Sequence, residues 1–185
     1  MSIATLPRTL RLGDLEVATP VVLAPMAGVT NAAFRQLCAE QGAGLYVCEM
    51  ITSRGIVEGD KTSIAMLTFA PNEAVRSVQL YGIDPEHVGR AVSILCAEHG
   101  VDHVDLNFGC PVPKVTRKGG GAAIPVKRNL LRAIVRAAVQ AAGPPPRSRS
   151  TWTSTTRWPT WCAPARPFGW RTRRPSWRAG RTWPP

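Results

Sequence analysis

Asp105-Leu106-Asn107-Phe108-Gly109-Cys110-Pro111 combines an amide, a thiol and a turn at the end of the apolar run that starts at Val101. At the C-terminal mouth of a parallel α/β sheet or barrel, strand ends of this kind carry the ligand-binding groups. A free thiol with a reference pKa of ~8.5 is mostly protonated at neutral pH and can act as a general acid. An amide such as that of Asn107 can accept and donate at once, which suits an imide edge. Gln79 interrupts the apolar run Val78-Gln79-Leu80, a costly placement unless its amide is hydrogen-bonded. Ala24-Pro25-Met26-Ala27-Gly28-Val29-Thr30 closes another short apolar run. There Pro25 offers no donor, Met26 a polarisable surface and Ala27 room for close backbone approach.

The elements that must position these groups alternate. Leu10 to Val17 reads as a hairpin around Gly13-Asp14, expected to plug the floor of a barrel. Val21 to Ala24 has the unbroken apolar character of a buried parallel strand. A helix capped by Thr30 or Asn31 is expected to run to Gln41, with Phe34, Leu37 and Cys38 on one apolar face and Gly42 as the stop. Strands follow over 45–50, 76–81 and 101–107. The helices between them are a weaker one over 56–67 and one opened by Asp84-Pro85, with Val88, Ala91, Val92, Leu95 and Cys96 at helical spacing. A last helix spans 129–142. Four strand–helix units imply a parallel sheet with right-handed crossovers, which pattern alone allows to be doubly wound or closed.

The motifs together resemble the tRNA-dihydrouridine synthases. That resemblance implies an α/β fold of the TIM (β/α)8 barrel type, of which residues 1–142 supply about the first four βα units. It implies FMN as cofactor, NAD(P)H as reductant and a uridine of tRNA as substrate, reduced to 5,6-dihydrouridine. Carried over residue by residue, it puts Pro25, Met26, Ala27 and Gln79 against the flavin, Asn107 on the substrate or the flavin, and Cys110 as the proton donor. Asp102, Asp105 and Glu49 receive no chemistry, and alternation is read as placing the two aspartates away from the neighbours of Asn107 or at the entrance. Cys38, Cys48 and Cys96 are expected in the core. Lys114, Arg117 and Lys118, with Gly119-Gly120-Gly121, form an expected mobile basic loop able to meet tRNA phosphates.

Composition divides the chain near Gly143. Residues 1–142 hold all 12 acidic residues and 14 basic ones, whereas 143–185 hold nine Arg and no acid, Lys or His. All six Trp and nine of the 17 Pro lie in the second part, which has no Leu, Ile, Val or Met. From Pro144 onward every residue except Phe168 has G or C as its middle codon base, a bias that a one-base displacement of a GC-rich frame would produce. Residues 143–185 therefore read as an out-of-frame, disordered Arg/Pro/Trp/Ser/Thr tail. The alternative is a basic nucleic-acid-binding tail. The later family segments, a fifth strand with Lys, a His-Gly-Arg segment and phosphate-binding glycine loops, have no counterpart here. The chain as given is expected to be truncated, to hold FMN weakly and to be inactive. The rival readings are another FMN-dependent barrel oxidoreductase, a non-enzymatic basic RNA-binding fragment driven by the tail, and a decayed gene.

Five Cys without a CxxC pair or Cys/His spacing point away from a disulfide framework and from a metal site. No signal peptide or membrane span is read, so a cytoplasmic setting without membrane attachment is expected.

Overall fold

The computed structural model describes residues 9–13 and 15–143. The tail expected over 143–185 therefore lies, apart from Gly143, outside the described residues. The hairpin is present as β1 (Leu10–Leu12) and β2 (Leu15–Val17), paired antiparallel. Four parallel strands follow in the order β3 (Val22–Leu23), β4 (Leu45–Thr52), β5 (Ser77–Tyr81) and β6 (His103–Leu106). Consecutive strands lie side by side, as in a barrel and without the reversal of strand order of a doubly wound sheet.

Helix boundaries follow capping chemistry. In α1 (Ala32–Glu40) the Asn31 side chain accepts from Phe34 N, and in α4 (Pro85–His99) Asp84 accepts from Glu86 N ahead of a proline in the first turn. The expected single helix over 56–67 is instead α2 (Ser53–Val57) and α3 (Lys61–Ala65). Asp60 ends the intervening turn by accepting from Ser63 N at 2.8 Å, which starts a new helix. The expected mobile loop after Cys110 is also structured. It forms α5 (Pro113–Thr116) and a 3-10 turn (Gly121–Ala123), with Val115 buried, before α6 (Arg128–Ala142).

The core lies between the sheet and α2, α4 and α6. Cys48, Ile51, Val78 and Leu80 meet Ile56, Val88, Ala91, Val92, Leu95, Ile134 and Ala138. Burial pushes the Cys48 thiol up to about 11 and the Cys96 thiol up to about 12, so both remain protonated and inert at neutral pH. Cys38 and Cys96 are only partly buried, unlike Cys48. The opposite face of the sheet is polar along β5 and β6, with register partners Ser77–His103 and Gln79–Asp105. At the floor, Ser77 Oγ and His103 Nδ1 are 2.8 Å apart. Leu15 and Val17 of the hairpin pack with Leu45 and Val47 at the N-terminal end of β4, where a floor plug is expected.

Two expectations about burial are corrected. Val21 and Val22 are 52% and 43% exposed, because among the described residues β3 pairs on one side only. On α1, Leu37 is 58% exposed and Phe34 36%, and the buried residue is Arg35. No described element covers the apolar stripe, whereas Arg35 turns inward to a carboxylate.

Burial lowers the pKa of His103 below its ordinary value of 6.5 and holds the imidazole neutral. The unfolded chain then binds the extra proton, so stability is full above ~6.5 and falls as pH drops toward the depressed folded pKa, by at most about 1.4 kcal/mol per pH unit. Urea unfolding between pH 7 and 5 should show this slope, and His103→Asn should flatten it.

Candidate active site

The C-terminal ends of β4, β5 and β6 surround a cavity of about 480 Å³, within the range of small-molecule sites. Pro25, Ala27, Met50, Gln79, Asp105, Asn107 and Cys110 all line it, so five of the six expected site residues converge there. Met26 is not on the cavity wall. Its side chain is 40% exposed, and its backbone N–H donates to Thr30 Oγ1 at 2.9 Å.

One hydrogen-bonded chain ties the wall together. Asp105 Oδ2 accepts from Gln79 Nε2 at 2.7 Å, and Gln79 Oε1 accepts from Asn107 Nδ2 at 3.2 Å. Asn107 Oδ1 then accepts from the backbone N–H of Gly109 at 3.1 Å and of Cys110 at 3.0 Å. Asn107 Nδ2 also donates to Met50 Sδ at 3.2 Å. The buried amide of Asn107 thus closes the turn that sets Cys110 at the mouth, and the two N–H donors fix which way it points.

Asp105 corrects the alternation reading. It stands two residues before Asn107 on one strand face and opposite Gln79 in the register, so it belongs to the wall. The period of two was the signal for it. Met50 and Glu49 had no such signal, because a register shift between Cys48 and Ile51 breaks the period of β4 there. Glu49 Oε2 accepts from Gly28 N at 2.6 Å, tethering the Pro25–Thr30 loop to β4.

Gly121 of the glycine triplet supports this loop. Gly121 has φ +53°, and a Cβ there would stand 2.4 Å from the Cys110 carbonyl oxygen, which accepts from Ala122 N at 3.0 Å. Gly121→Ala should therefore cost about 1–3 kcal/mol in thermal or urea unfolding, from left-handed backbone strain, and displace Cys110.

The cavity wall is mixed in character. Apolar groups of Pro25, Ala27, Leu106, Phe108 and Val112 share it with two amides and a carboxylate. No Lys or Arg lines it, so among the described residues it offers no cation to a phosphate. Nor do the described residues hold a group of three His, Cys, Asp or Glu placed for a metal ion, or a helix long and apolar enough to cross a membrane.

Comparison with known proteins adds the family. A dihydrouridine synthase (Dus) family model matches residues 22–153, ten residues past Gly143, where the sequence resemblance was expected to end. A probable tRNA-dihydrouridine synthase of Mycobacterium tuberculosis (strain CDC 1551 / Oshkosh) is 54% identical over 139 residues, covering 71% of this chain and 36% of that protein. tRNA-dihydrouridine synthase B of Escherichia coli (strain K12) is 37% identical over 137 residues, covering 74% and 42%. Among solved structures, histamine dehydrogenase from Rhizobium sp. 4-9 aligns with a TM-score of 0.46 and 14% identity, over 72% of this chain and 31% of that one. The chain spans about two fifths of the length of the curated relatives it matches. The family fold is the TIM barrel, and the four parallel βα units are part of one. Matched over well more than half its length, this chain belongs to the dihydrouridine synthase family.

Proposed function

We propose that this protein takes part in the FMN-dependent reduction of uridine to 5,6-dihydrouridine in tRNA, with NAD(P)H as reductant. The observation that carries the reading is the hydrogen-bonded chain from Asp105 through Gln79 and Asn107 to the Cys110 turn, at the mouth of a cavity of about 480 Å³. FMN, when bound, supplies hydride to one carbon of the uracil double bond.

The chain's own residues do the rest. Pro25, which has no N–H, and Ala27, whose small side chain allows close approach, lie against the ring, Met26 borders it from outside the cavity wall, and the Gln79 amide meets its polar atoms. Asn107 holds the Cys110 turn, and its amide reaches the substrate edge by exchanging the Met50 contact. The Cys110 Sγ–H gives its proton to the carbon adjacent to the one receiving hydride, and the resulting thiolate is reprotonated from solvent. A tRNA substrate places this work in the cytoplasm.

The test is dihydrouridine content of a tRNA transcript incubated with the protein, FMN and NAD(P)H, alongside reduction of free enones. Dihydrouridine without enone reduction supports the reading, and enone reduction alone replaces it with a small-substrate flavin oxidoreductase. We also propose that residues 143–185 arise from a displaced frame. Resequencing the coding DNA around codons 138–153 and translating the other frames tests this. A frame yielding a strand with Lys and then His-Gly-Arg upholds it, and the activity assay is then repeated on the restored chain.

A further inference from the structure

Charge is unevenly divided along the sequence before Gly143. Residues 1–105 contain all 12 acidic residues against seven basic ones, a net charge of −5, while residues 106–142 contain seven basic residues and no acid, a net charge of +7. The basic residues follow β6 on α5 (Lys114), in the segments on either side of the 3-10 turn (Arg117, Lys118 and Lys127) and on α6 (Arg128, Arg132 and Arg136). Lys114, Arg117 and Lys118 are exposed on and just after α5, beside the Cys110 turn. Lys127 Nζ stands 2.8 Å from where a Gly119 Cβ would be, which joins this group to α6.

On α6, Arg128, Arg132 and Arg136 are exposed at four-residue spacing, about 6 Å apart along the axis. They lie opposite Ile134 and Ala138, which pack into the core. None of the seven has an acidic partner among the described ion pairs. Like charges four apart disfavour a helix, so an unrelieved stripe is a stability cost that an ordinary mixed-sign solvated face avoids. A polyanion laid along it removes that cost, and the acidic remainder of the fold repels the same polyanion.

We propose that α5, the 3-10 turn and the outer face of α6 form one track for the sugar-phosphate backbone of RNA, running from the cavity mouth to Arg136. This rests on the tRNA reading above and gives it a direction. The track reads charge, so its contribution is independent of sequence and salt-sensitive.

The test measures binding of a fluorescent tRNA transcript to the full chain by anisotropy, from about 50 to 200 mM salt. Arg132→Gln/Arg136→Gln should weaken binding and lower the slope of log K against log salt by about 1.4–1.8. Arg132→Lys/Arg136→Lys should keep the slope, and Arg11→Gln/Arg90→Gln, in the acidic part, should leave it unchanged. All four positions are exposed, and circular dichroism confirms that each variant has the parent helix content. A parent-like slope in the double Gln variant overturns the proposal, as does an equal loss in the Arg11/Arg90 control. Displacement by polyglutamate as readily as by unlabelled tRNA assigns the face to acidic protein instead and also overturns it. Dihydrouridine formed with the slope unchanged removes the track alone, and a lowered slope with no dihydrouridine from either the chain as given or the frame-restored chain keeps the track and removes the enzymatic reading.

Discussion

In the frame-restored chain, Cys110→Ala should lower dihydrouridine formation by about 10²–10⁴-fold, the usual contribution of a positioned general acid, while leaving reduction of bound flavin by NAD(P)H unchanged. The separation follows from where the residue sits. Cys110 lies beyond the end of β6, on a turn held by Asn107 Oδ1, while the proposed flavin-facing residues Pro25, Ala27 and Gln79 come from other parts of the wall. Removing the sulfur takes away a proton and leaves the backbone bonds that shape the turn. Single-turnover kinetics with separate monitoring of flavin oxidation and dihydrouridine content checks it. If both half-reactions slow together, Cys110 shapes the site and does not protonate the substrate. Asn107→Ala makes the complementary case, since it frees the Gly109 and Cys110 N–H groups and the Gln79 carbonyl at once.

Arg35→Ala should destabilise the fold by about 3–5 kcal/mol, the cost of leaving one buried charge without its partner. The side chains of Arg35 and Glu73 are 1% and 0% exposed, and Arg35 Nε meets Glu73 Oε2 at 2.9 Å. The guanidinium also donates from Nη2 to Glu73 Oε1 at 3.2 Å, from Nη1 to Thr30 O at 2.7 Å and from Nη2 to Thr68 O at 2.6 Å. Glu73 Oε1 accepts from Ala70 N at 2.7 Å, so the pair joins α1, the Met26–Thr30 turn and the segment before β5. Domains are stable by only about 5–15 kcal/mol, so this change brings the protein near its unfolding threshold. Glu73→Gln should cost less, because the amide keeps an acceptor for Arg35. An Arg35→Met/Glu73→Leu double variant should recover part of the loss but not all, since the Thr30 and Thr68 carbonyls remain without donors. Urea unfolding of the cycle measures this, and single-variant losses below about 1 kcal/mol would contradict it.

The candidate site was legible in the sequence as far as local pattern reaches. Asn107 and Cys110 could be found because a polar turn ended an apolar run, and Gln79 because it stood alone among apolar neighbours. Asp105 was equally legible by its spacing from Asn107, and was misread. Met50, Glu49, Arg35 and Glu73 were not. The first two depend on a bulge that changes which way successive residues of β4 face, and a bulge is a product of pairing with β5. The second two are an ion pair across 38 positions, which no local period encodes.

The sequence by itself determined the order of strand and helix units, their caps and breaks, and the division of charge, because these depend on residues within a turn or two of one another. Tertiary structure alone decided that the two amides and Asp105 form one bonded chain, that the glycine triplet underlies Cys110, and that a charged residue occupies the buried face of α1. Those outcomes depend on which distant groups meet once burial makes an unpaired polar atom too costly to leave.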